Sequence, residues 1–170
     1  IASKLSDKTI AEQLKEAERQ AELARQREAR RQVLLSQGLV DLGLPSGTLW
    51  RNSNEGGDYA RYTYDEAISR FGNKLPTKQQ LEELKSKCTW TWTSKGYKVT
   101  GPNGYSITLP AAGYRDCFGD VDFVGTYGYY WSSTPNDSNS AWFLYFDSSG
   151  VLMRYYTRCY GRSVRLVQNL

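Results

Sequence analysis

The residues of this chain that could do chemistry are tyrosines, tryptophans and arginines rather than the usual catalytic groups. The sequence has 13 Tyr and 5 Trp and contains no His. Without His the chain lacks the commonest general base and the commonest transition-metal ligand. Tyr and Trp offer large, rigid contact areas at a low cost in side-chain entropy, as at antibody and hot-spot surfaces. The composition therefore favours recognition over catalysis, and we expect a binding protein with no catalytic residues rather than an enzyme.

Two aperiodic segments mix Asp, Cys, Phe, Arg and Tyr, and we predict that they supply a ligand-binding face together with three nearby aromatic residues. The predicted face consists of Asp116, Cys117, Phe118, Asp120, Asp122, Phe123, Tyr129, Phe143, Tyr145, Leu152, Arg154, Tyr155, Tyr156, Arg158, Cys159 and Tyr160. For each aromatic member a place in the core remains the alternative. Four other aromatic residues sit inside strand-like patterns and are expected in the core: Trp50, Trp90, Trp131 and Phe146.

Clustered oxygen side chains raise the question of a Ca²⁺ site, because hard cations prefer carboxylate and carbonyl ligands. The candidates are Asn136, Asp137 and Asn139, and Asp116, Asp120 and Asp122. Asn and Asp also initiate turns by bonding to nearby backbone, and this interpretation suits the surrounding residues better. We predict no metal and no cofactor.

The three cysteines, Cys88, Cys117 and Cys159, are far apart and form no CxxC pair. A zinc site and a disulfide framework are therefore not expected, although a single bridge with one spare thiol stays open. Cys117 and Cys159 are interpreted as unpaired members of the predicted face.

The charge and hydropathy of the chain limit the classes of partner that we expect it to bind. The net charge of +4 arises from basic residues that alternate with acidic ones, so no nucleic-acid partner is expected. No apolar run approaches the roughly 18 residues that span a bilayer, so no membrane insertion is expected. The chain starts at Ile1 without Met and without a leader-like segment, which indicates a fragment of a longer protein.

Residues 6–36 contain no Gly, Pro or aromatic residue and are rich in strong helix formers. They predict one long helix, capped by Ser6 or Asp7 and ended by the turn before Gly38. A heptad-spaced seam follows one side of it: Ile10, Leu14, Ala17, Ala21 and Ala24. This seam favours a coiled coil between copies of the chain, with a trimer expected, and packing along the chain's own domain is the alternative. We divide the chain into a helical stalk, 1–37, and a globular domain, 38–170.

The globular part is predicted to be α+β, with two short helices followed by loop-rich antiparallel sheets. The helices are expected at 64–71 and at 78–87, the second with a capping box from Thr77 to Gln80. Strands are expected at 39–42, 48–50, 89–93, 97–100, 106–109, 141–146, 151–156 and 163–167. The segment 109–135 is expected to form a rigid central element from which loops extend.

Seven ordered segments resemble the major paralogous domain of Bacteroidetes and Fibrobacter surface proteins, a family similar to the C-type lectin fold and to the variable proteins of diversity-generating retroelements. They cover roughly residues 38–168: Val40–Trp50, Leu75–Thr77, Thr89–Trp92, Gly96–Gly101, Leu109–Tyr114, Tyr130–Thr134 and Gly161–Arg165. The chain departs from the family in two places. The stretch at 51–62 is shorter than in many members, which carry an insertion there, and the helix before residue 38 is not part of the family domain.

The resemblance implies a C-type-lectin-like domain in an extracellular setting, on a phage tail or a bacterial cell surface. It implies recognition of a cell-surface protein or glycan by a face that adenine-directed mutagenesis rewrites near the C-terminus. The alternative is a surface adhesin, or a carbohydrate-associated structural protein, whose face is not diversified.

Overall fold

The computed structural model describes residues 2–170, with side chains described from residue 7 onward. By their contacts these residues divide into two compact units, one ending at Gln37 and including Leu170, the other running from Gly38 to Asn169.

The first unit is built on a single long helix, α1, which spans Ala2–Ser36. The predicted helix and its end at Ser36 are confirmed, but the predicted N-cap is wrong, because Ser6 and Asp7 lie inside the helix. Ion pairs between residues three apart recur every six residues along part of it: Arg19 with Glu16, Arg25 with Glu22 and Arg31 with Glu28. The seam residues Ile10 and Leu14 are exposed.

In the second unit, two short helices lie at the predicted positions, each with a threonine N-cap. Helix α2 spans Tyr64–Phe71, and the Thr63 side chain accepts from the backbone N–H of Glu66. A 3₁₀ turn, Gly72–Lys74, follows it. Helix α3 spans Lys78–Lys87 and has the predicted capping box between Thr77 and Gln80.

Eleven strands among the described residues form four small antiparallel sheets. The strands are β1 (Leu39–Asp41), β2 (Leu49–Arg51), β3 (Thr89–Thr93), β4 (Gly96–Thr100), β5 (Ser106–Pro110), β6 (Ala112–Arg115), β7 (Val121–Val124), β8 (Gly128–Pro135), β9 (Ser140–Asp147), β10 (Gly150–Thr157) and β11 (Val167–Gln168). Their orders are β1-β2-β11, β3-β4-β5, β6-β7 and β10-β9-β8. The α+β class is confirmed.

Two predictions about strands are wrong. The last strand is confined to Val167–Gln168, because residues 161–163 make isolated bridges with three different segments instead of one ladder. The segment 116–123, expected to be an aperiodic loop, contributes Val121–Val124 to a hairpin with β6. All four residues of that strand are exposed, so the segment has no apolar alternation that could have revealed it.

The core has two parts, one on each side of the β8-β9-β10 sheet. The larger packs α3 and the β3-β4-β5 sheet around Trp50, Tyr130 and Phe146. The smaller packs α2 around Trp131 and Phe143. Trp50, Trp131 and Phe146 are buried as predicted, whereas Trp90 is only partly buried at the edge of the larger part.

Candidate ligand-binding site

One face of the β8-β9-β10 sheet carries the residues of the candidate site. Its register places Tyr129 opposite Tyr145, and Phe143 opposite both Trp131 and Arg154. Because side chains alternate between the two faces of a strand, these residues lie on one side, together with Tyr156. The opposite side carries Tyr130, Leu144 and Phe146, which belong to the larger core.

The segment Gly161–Ser163 lies along the edge of β8 and is held from three directions. Gly161 and Arg115 exchange backbone hydrogen bonds of 2.7 and 2.9 Å, and Arg162 and Tyr62 exchange two of 2.9 Å. The N–H of Ser163 donates to the carbonyl of Tyr129 at 3.0 Å. The backbone at Arg162 is therefore fixed, which determines where its side chain begins.

A depression of about 390 Å³ opens on this face, and we call it the Arg162 depression. It is lined by Tyr114, Tyr129, Phe143, Arg154, Tyr155, Tyr156, Tyr160 and Arg162. Six of these eight described residues are aromatic, two are arginines and none is acidic. The depression thus combines apolar ring surface, phenol hydroxyls and positive charge.

The guanidinium of Arg162 is packed among aromatic rings and is only 2% exposed. Its central carbon lies 3.8 Å from the Phe143 ring centre, 4.9 Å from those of Tyr129 and Trp131, and 5.1 Å from that of Tyr160. Its Nε and Nη1 have no hydrogen-bond partner among the described residues. Burial lowers the pKa of Arg162 to about 9, which leaves the side chain cationic at neutral pH.

Arg165, three residues further on, is equally buried but fully engaged. It donates from Nε and Nη2 to Oδ1 of Asn54, at 3.0 and 2.8 Å, and from Nη1 to the carbonyl of Arg51 at 3.1 Å. Its Nη2 also donates to the carbonyl of Thr108. Since buried donors are normally satisfied in this way, Arg165 meets the ordinary expectation and Arg162 departs from it.

A connected set of tyrosines surrounds Arg162. The ring centres of Tyr114 and Tyr129 lie 5.2 Å apart, those of Tyr114 and Tyr160 5.1 Å, and those of Tyr156 and Tyr160 5.3 Å. Burial raises the pKa of Tyr129 to about 12, although the nearby Arg162 charge opposes that rise. Arg154 stacks over the Tyr145 ring at 4.5 Å and adds a second cation to the rim.

A disulfide between Cys117 and Cys159 borders the depression and corrects the interpretation of these cysteines as unpaired. Their Cα atoms are 5.2 Å apart although 42 residues separate them in the chain. The bond ties the β6–β7 turn to the segment that follows β10. Spacing alone cannot reveal it, because the two elements meet only in the folded domain. Cys88 is a free, half-buried thiol, and burial raises its pKa to about 11.

The β6–β7 hairpin is kinked where Gly113 and Phe123 lie between paired residues of its two strands. Both have a left-handed backbone, with φ of +64° and +63°. A Cβ on Gly113 would lie 1.9 Å from the carbonyl oxygen of Asp122, so only glycine fits there. For Phe123 this conformation is strained, and its ring contacts Tyr127 at 4.5 Å and Tyr114 at 5.6 Å.

The structure separates the predicted face residues into several places. Arg154, Tyr155, Tyr156, Tyr160, Tyr129 and Phe143 line the depression. Phe143 and Tyr145 are 4% and 8% exposed, so they lie beneath the face instead of being presented on it. The remaining predicted residues lie outside the lining: Asp116, Cys117, Phe118, Asp120, Asp122, Phe123, Leu152, Arg158 and Cys159.

Of those outlying residues, Arg158 has an evident structural role, whereas the side chain of Phe118 is almost fully exposed. Arg158 stacks over the Tyr64 ring at 4.7 Å and donates to the carbonyl of Asp137, which fixes the loop after β8. Phe118 is 93% exposed at the tip of the β6–β7 turn.

Sequence reasoning missed two residues that define the depression, Tyr114 and Arg162. Both stand in the segments quoted for the family resemblance, Leu109–Tyr114 and Gly161–Arg165, and neither was predicted to belong to the ligand-binding face. The only local signal is the presence of two arginines, Arg162 and Arg165, in a short apolar stretch. An apolar stretch is usually buried, and arginine is rarely buried without a partner.

The two segments whose Asn and Asp side chains were considered as Ca²⁺ ligands form turns. Oδ1 of Asp116 accepts from the backbone N–H groups of Phe118 and Asp120, both at 2.9 Å. Oδ1 of Asp137 accepts from those of Asn139 and Ser140, at 2.8 and 2.7 Å. Within the described chain, no group of three or more Cys, Asp or Glu side chains is placed to hold a metal ion.

A second, larger depression, of about 750 Å³, lies beside α3. It is polar, and its groups bond to one another: Ser46 Oγ donates to Glu83 at 2.5 Å, and Gln80 Nε2 donates to Asn169 at 3.1 Å. These four side chains are therefore paired with one another, unlike the guanidinium of Arg162.

Comparison with known proteins places this site in a family. The model of a family described as Domain of unknown function (DUF8237) matches residues 74–167, more than half of the chain. The chain belongs to this family. The DUF8237 match contains every residue that lines the Arg162 depression. No curated protein and no solved structure matches the chain. No helix within residues 2–170 is long and apolar enough to cross a membrane.

Proposed function

We propose that this DUF8237 protein is a receptor-recognition module that binds a cell-surface ligand through the Arg162 depression. The observation that carries the proposal is the buried guanidinium of Arg162, which lines the depression and has unpaired nitrogens. Burying a charge without a partner costs several kcal/mol, and a bound ligand that brings an acceptor offsets that cost. The surrounding tyrosines supply the rigid, amphipathic contact surface that recognition sites favour.

We propose further that the domain has a C-type-lectin-like fold. Two features support this assignment: two short helices precede small antiparallel sheets, and the first and last strands, β1 and β11, share one sheet through β2. The long segment between β1 and β11 thus begins and ends at the same sheet. β10 and the β6–β7 hairpin lie outside that sheet, so their sequences can change without changing it.

The presented residues also suit a retroelement-diversified face on a phage tail or bacterial surface protein. Arg154, Tyr156 and Tyr160 lie close together near the C-terminus and point away from the larger core. The Cys117–Cys159 disulfide supports an extracellular location, because such bonds persist in oxidising compartments. Sequencing the parent locus tests diversification directly. A near-identical template repeat beside a reverse transcriptase is expected, and a locus without both leaves the non-diversified adhesin as the function.

Self-association through α1 is the second part of the proposal, with a trimer as the expected state. The exposed side chains of Ile10 and Leu14 lie on the heptad seam and would be covered in a coiled coil. Three weak sites would then act together by avidity. Sedimentation of the full chain tests this: Ile10→Asp with Leu14→Asp should yield monomer, whereas Lys15→Asp with Gln26→Asp, on the opposite side, should not. A monomeric unmodified chain contradicts it.

Binding of the labelled full chain to intact Bacteroides cells tests the recognition function. Tyr156→Ser, which alters the depression, should reduce the retained protein at least about tenfold, as expected for a central interface tyrosine. Tyr105→Ser is the matched control, because Tyr105 is 68% exposed in the β4–β5 turn and lies outside the depression. Equal retention of both variants and the unmodified chain would place any binding elsewhere.

A further inference from the structure

The Arg162 depression has the size of a small-ligand site rather than of a protein contact. Its volume of about 390 Å³ lies at the lower end of the range for such sites, about 300–1,000 Å³. A stable protein–protein contact covers about 800 Å² on each partner, far more than one depression on this face. The feature therefore fits one terminal group of a larger ligand.

The charges in and around the depression determine whether the bound ligand group should be positively or negatively charged. Arg162 lies at its floor and Arg154 on its rim, and none of the eight lining residues is acidic. Asp116 and Asp122, on the neighbouring hairpin, are outside the lining. A cationic ligand would meet uncompensated repulsion here, whereas an anion would pair with a charge that is otherwise buried alone.

The shape of the partner group follows from the guanidinium. Arginine has a planar, rigid set of donors that matches the geometry of a carboxylate, and such pairs are among the strongest charged hydrogen bonds. The neighbouring rings exclude water from the guanidinium, which strengthens that interaction further. The rings lie too close around Arg162 for a bulky partner, since four ring centres are within 5.1 Å.

The tyrosines specify what surrounds the charged group. Tyr114, Tyr129, Tyr156 and Tyr160 combine ring surfaces, which pack against the C–H faces of a pyranose, with hydroxyl groups that bond to sugar hydroxyls. A purely aromatic or aliphatic ligand would leave those hydroxyl groups unpaired.

Resting on the proposed binding function, we infer that the Arg162 depression takes a carboxylate-bearing sugar residue at the end of a cell-surface glycan. Arg162 pairs with the carboxylate, the tyrosines hold the pyranose, and Arg154 attracts the anion at the rim. Peptide carboxylates share the charge but lack the ring that the tyrosines fit.

Calorimetric titration of the full chain with three probes tests this inference: methyl β-D-glucuronide, methyl β-D-glucoside and sodium acetate. The glucuronide should bind at least about tenfold more tightly than either of the others, because the glucoside lacks the carboxylate that pairs with Arg162 and acetate lacks the ring that the tyrosines hold. Arg162→Met should remove that preference, whereas Arg61→Gln, an arginine outside the depression, should preserve it.

Three results would overturn the inference. They are equal affinity for glucuronide and glucoside, acetate binding as tightly as glucuronide, and a glucuronide preference that survives Arg162→Met. The proposed recognition function is tested separately by the cell-binding experiment. If Tyr156→Ser abolishes cell binding and excess glucuronide does not compete with it, the recognition function holds and the sugar inference is wrong, because the depression then binds a ligand of another chemistry.

Discussion

The guanidinium carbon of Arg162 lies 3.8 Å from the centre of the Phe143 ring, and neither residue is more than 4% exposed. This cation–π contact stabilises the desolvated charge, but it supplies none of the hydrogen bonds that Nε and Nη1 of Arg162 lack. Arg165, by contrast, has hydrogen bonds to Asn54, Arg51 and Thr108. Two buried arginines three residues apart thus differ in their contacts: Arg165 holds the fold, and Arg162 is the one that we propose for ligand binding.

Thermal unfolding of two matched variants separates these roles. Arg165→Met leaves Asn54 and two carbonyls without their donor and should cost at least about 3 kcal/mol, which lowers Tm by roughly 10 °C. Arg162→Met removes an unpaired charge and retains an unbranched apolar chain, so Tm should stay the same or rise. A drop for Arg162→Met as large as that for Arg165→Met would show that both residues are structural.

Framework and presented positions should differ in their tolerance of polar substitutions. Ala112 is fully buried, and its carbonyl accepts from Nε of Arg61 at 3.2 Å. Ala112→Asp should therefore unfold the domain by burying an unpaired charge. Phe123 and Tyr156 are 45% and 54% exposed, so Phe123→Ser and Tyr156→Ser should change Tm by only a few degrees. Circular dichroism melts check this, and similar losses in all three variants would contradict it.

Tyrosine ionisation predicts how stability depends on alkaline pH. Burial raises the pKa of Tyr129 to about 12, against about 10 in an unfolded chain. A raised folded-state pKa stabilises the protein fully below the unfolded value, and that contribution is lost as the pH rises through the folded value. The free energy of unfolding should therefore fall between pH about 10 and 12.

Ultraviolet titration of tyrosinate checks the assignment to Tyr129. Removing the Arg162 charge with Arg162→Met should move the titration of Tyr129, identified as the phase that Tyr129→Phe removes, to still higher pH, because that charge favours tyrosinate. A Tyr129 phase that is insensitive to Arg162→Met would contradict the close coupling of the two residues.

Reduction of the Cys117–Cys159 bond should destabilise the domain. Chain-entropy arguments give about 4 kcal/mol for a closed loop of this length. Cys117→Ser with Cys159→Ser should lower the free energy of unfolding by up to that amount and increase hydrogen exchange in β7. Cys88→Ser is the control, because Cys88 is a free thiol whose raised pKa keeps it protonated at neutral pH.

The helices and most strands could be predicted because their signals are local. Thr77 and Gln80 form the capping box that their spacing predicts, and the Tyr64–Phe71 helix begins and ends as its apolar spacing indicates. The β7 strand was missed because Val121–Val124 is exposed on every residue, so burial imposes no alternation on its sequence.

Six of the eight residues that line the Arg162 depression belong to the predicted face, but Arg162 itself does not. Exposed tyrosines and arginines of β10 stand out in sequence because they break the strand pattern. Arg162 does not, since its role depends on contacts with Tyr62, Phe143 and Tyr129 from three distant segments. The disulfide was missed for the same reason: Cys117 and Cys159 become neighbours only when the β6–β7 hairpin lies beside the end of β10.

The claim that Arg162 is kept for a ligand is tested most directly by the Nε–H resonances of the arginine side chains in the nitrogen-15-labelled full chain. On titration with methyl β-D-glucuronide, the Arg162 resonance should shift in a saturable manner while that of Arg165 stays in place. The Arg162→Met variant identifies the resonance. A shift of Arg165 alone, or no shift of Arg162 at saturating glucuronide, would contradict the account.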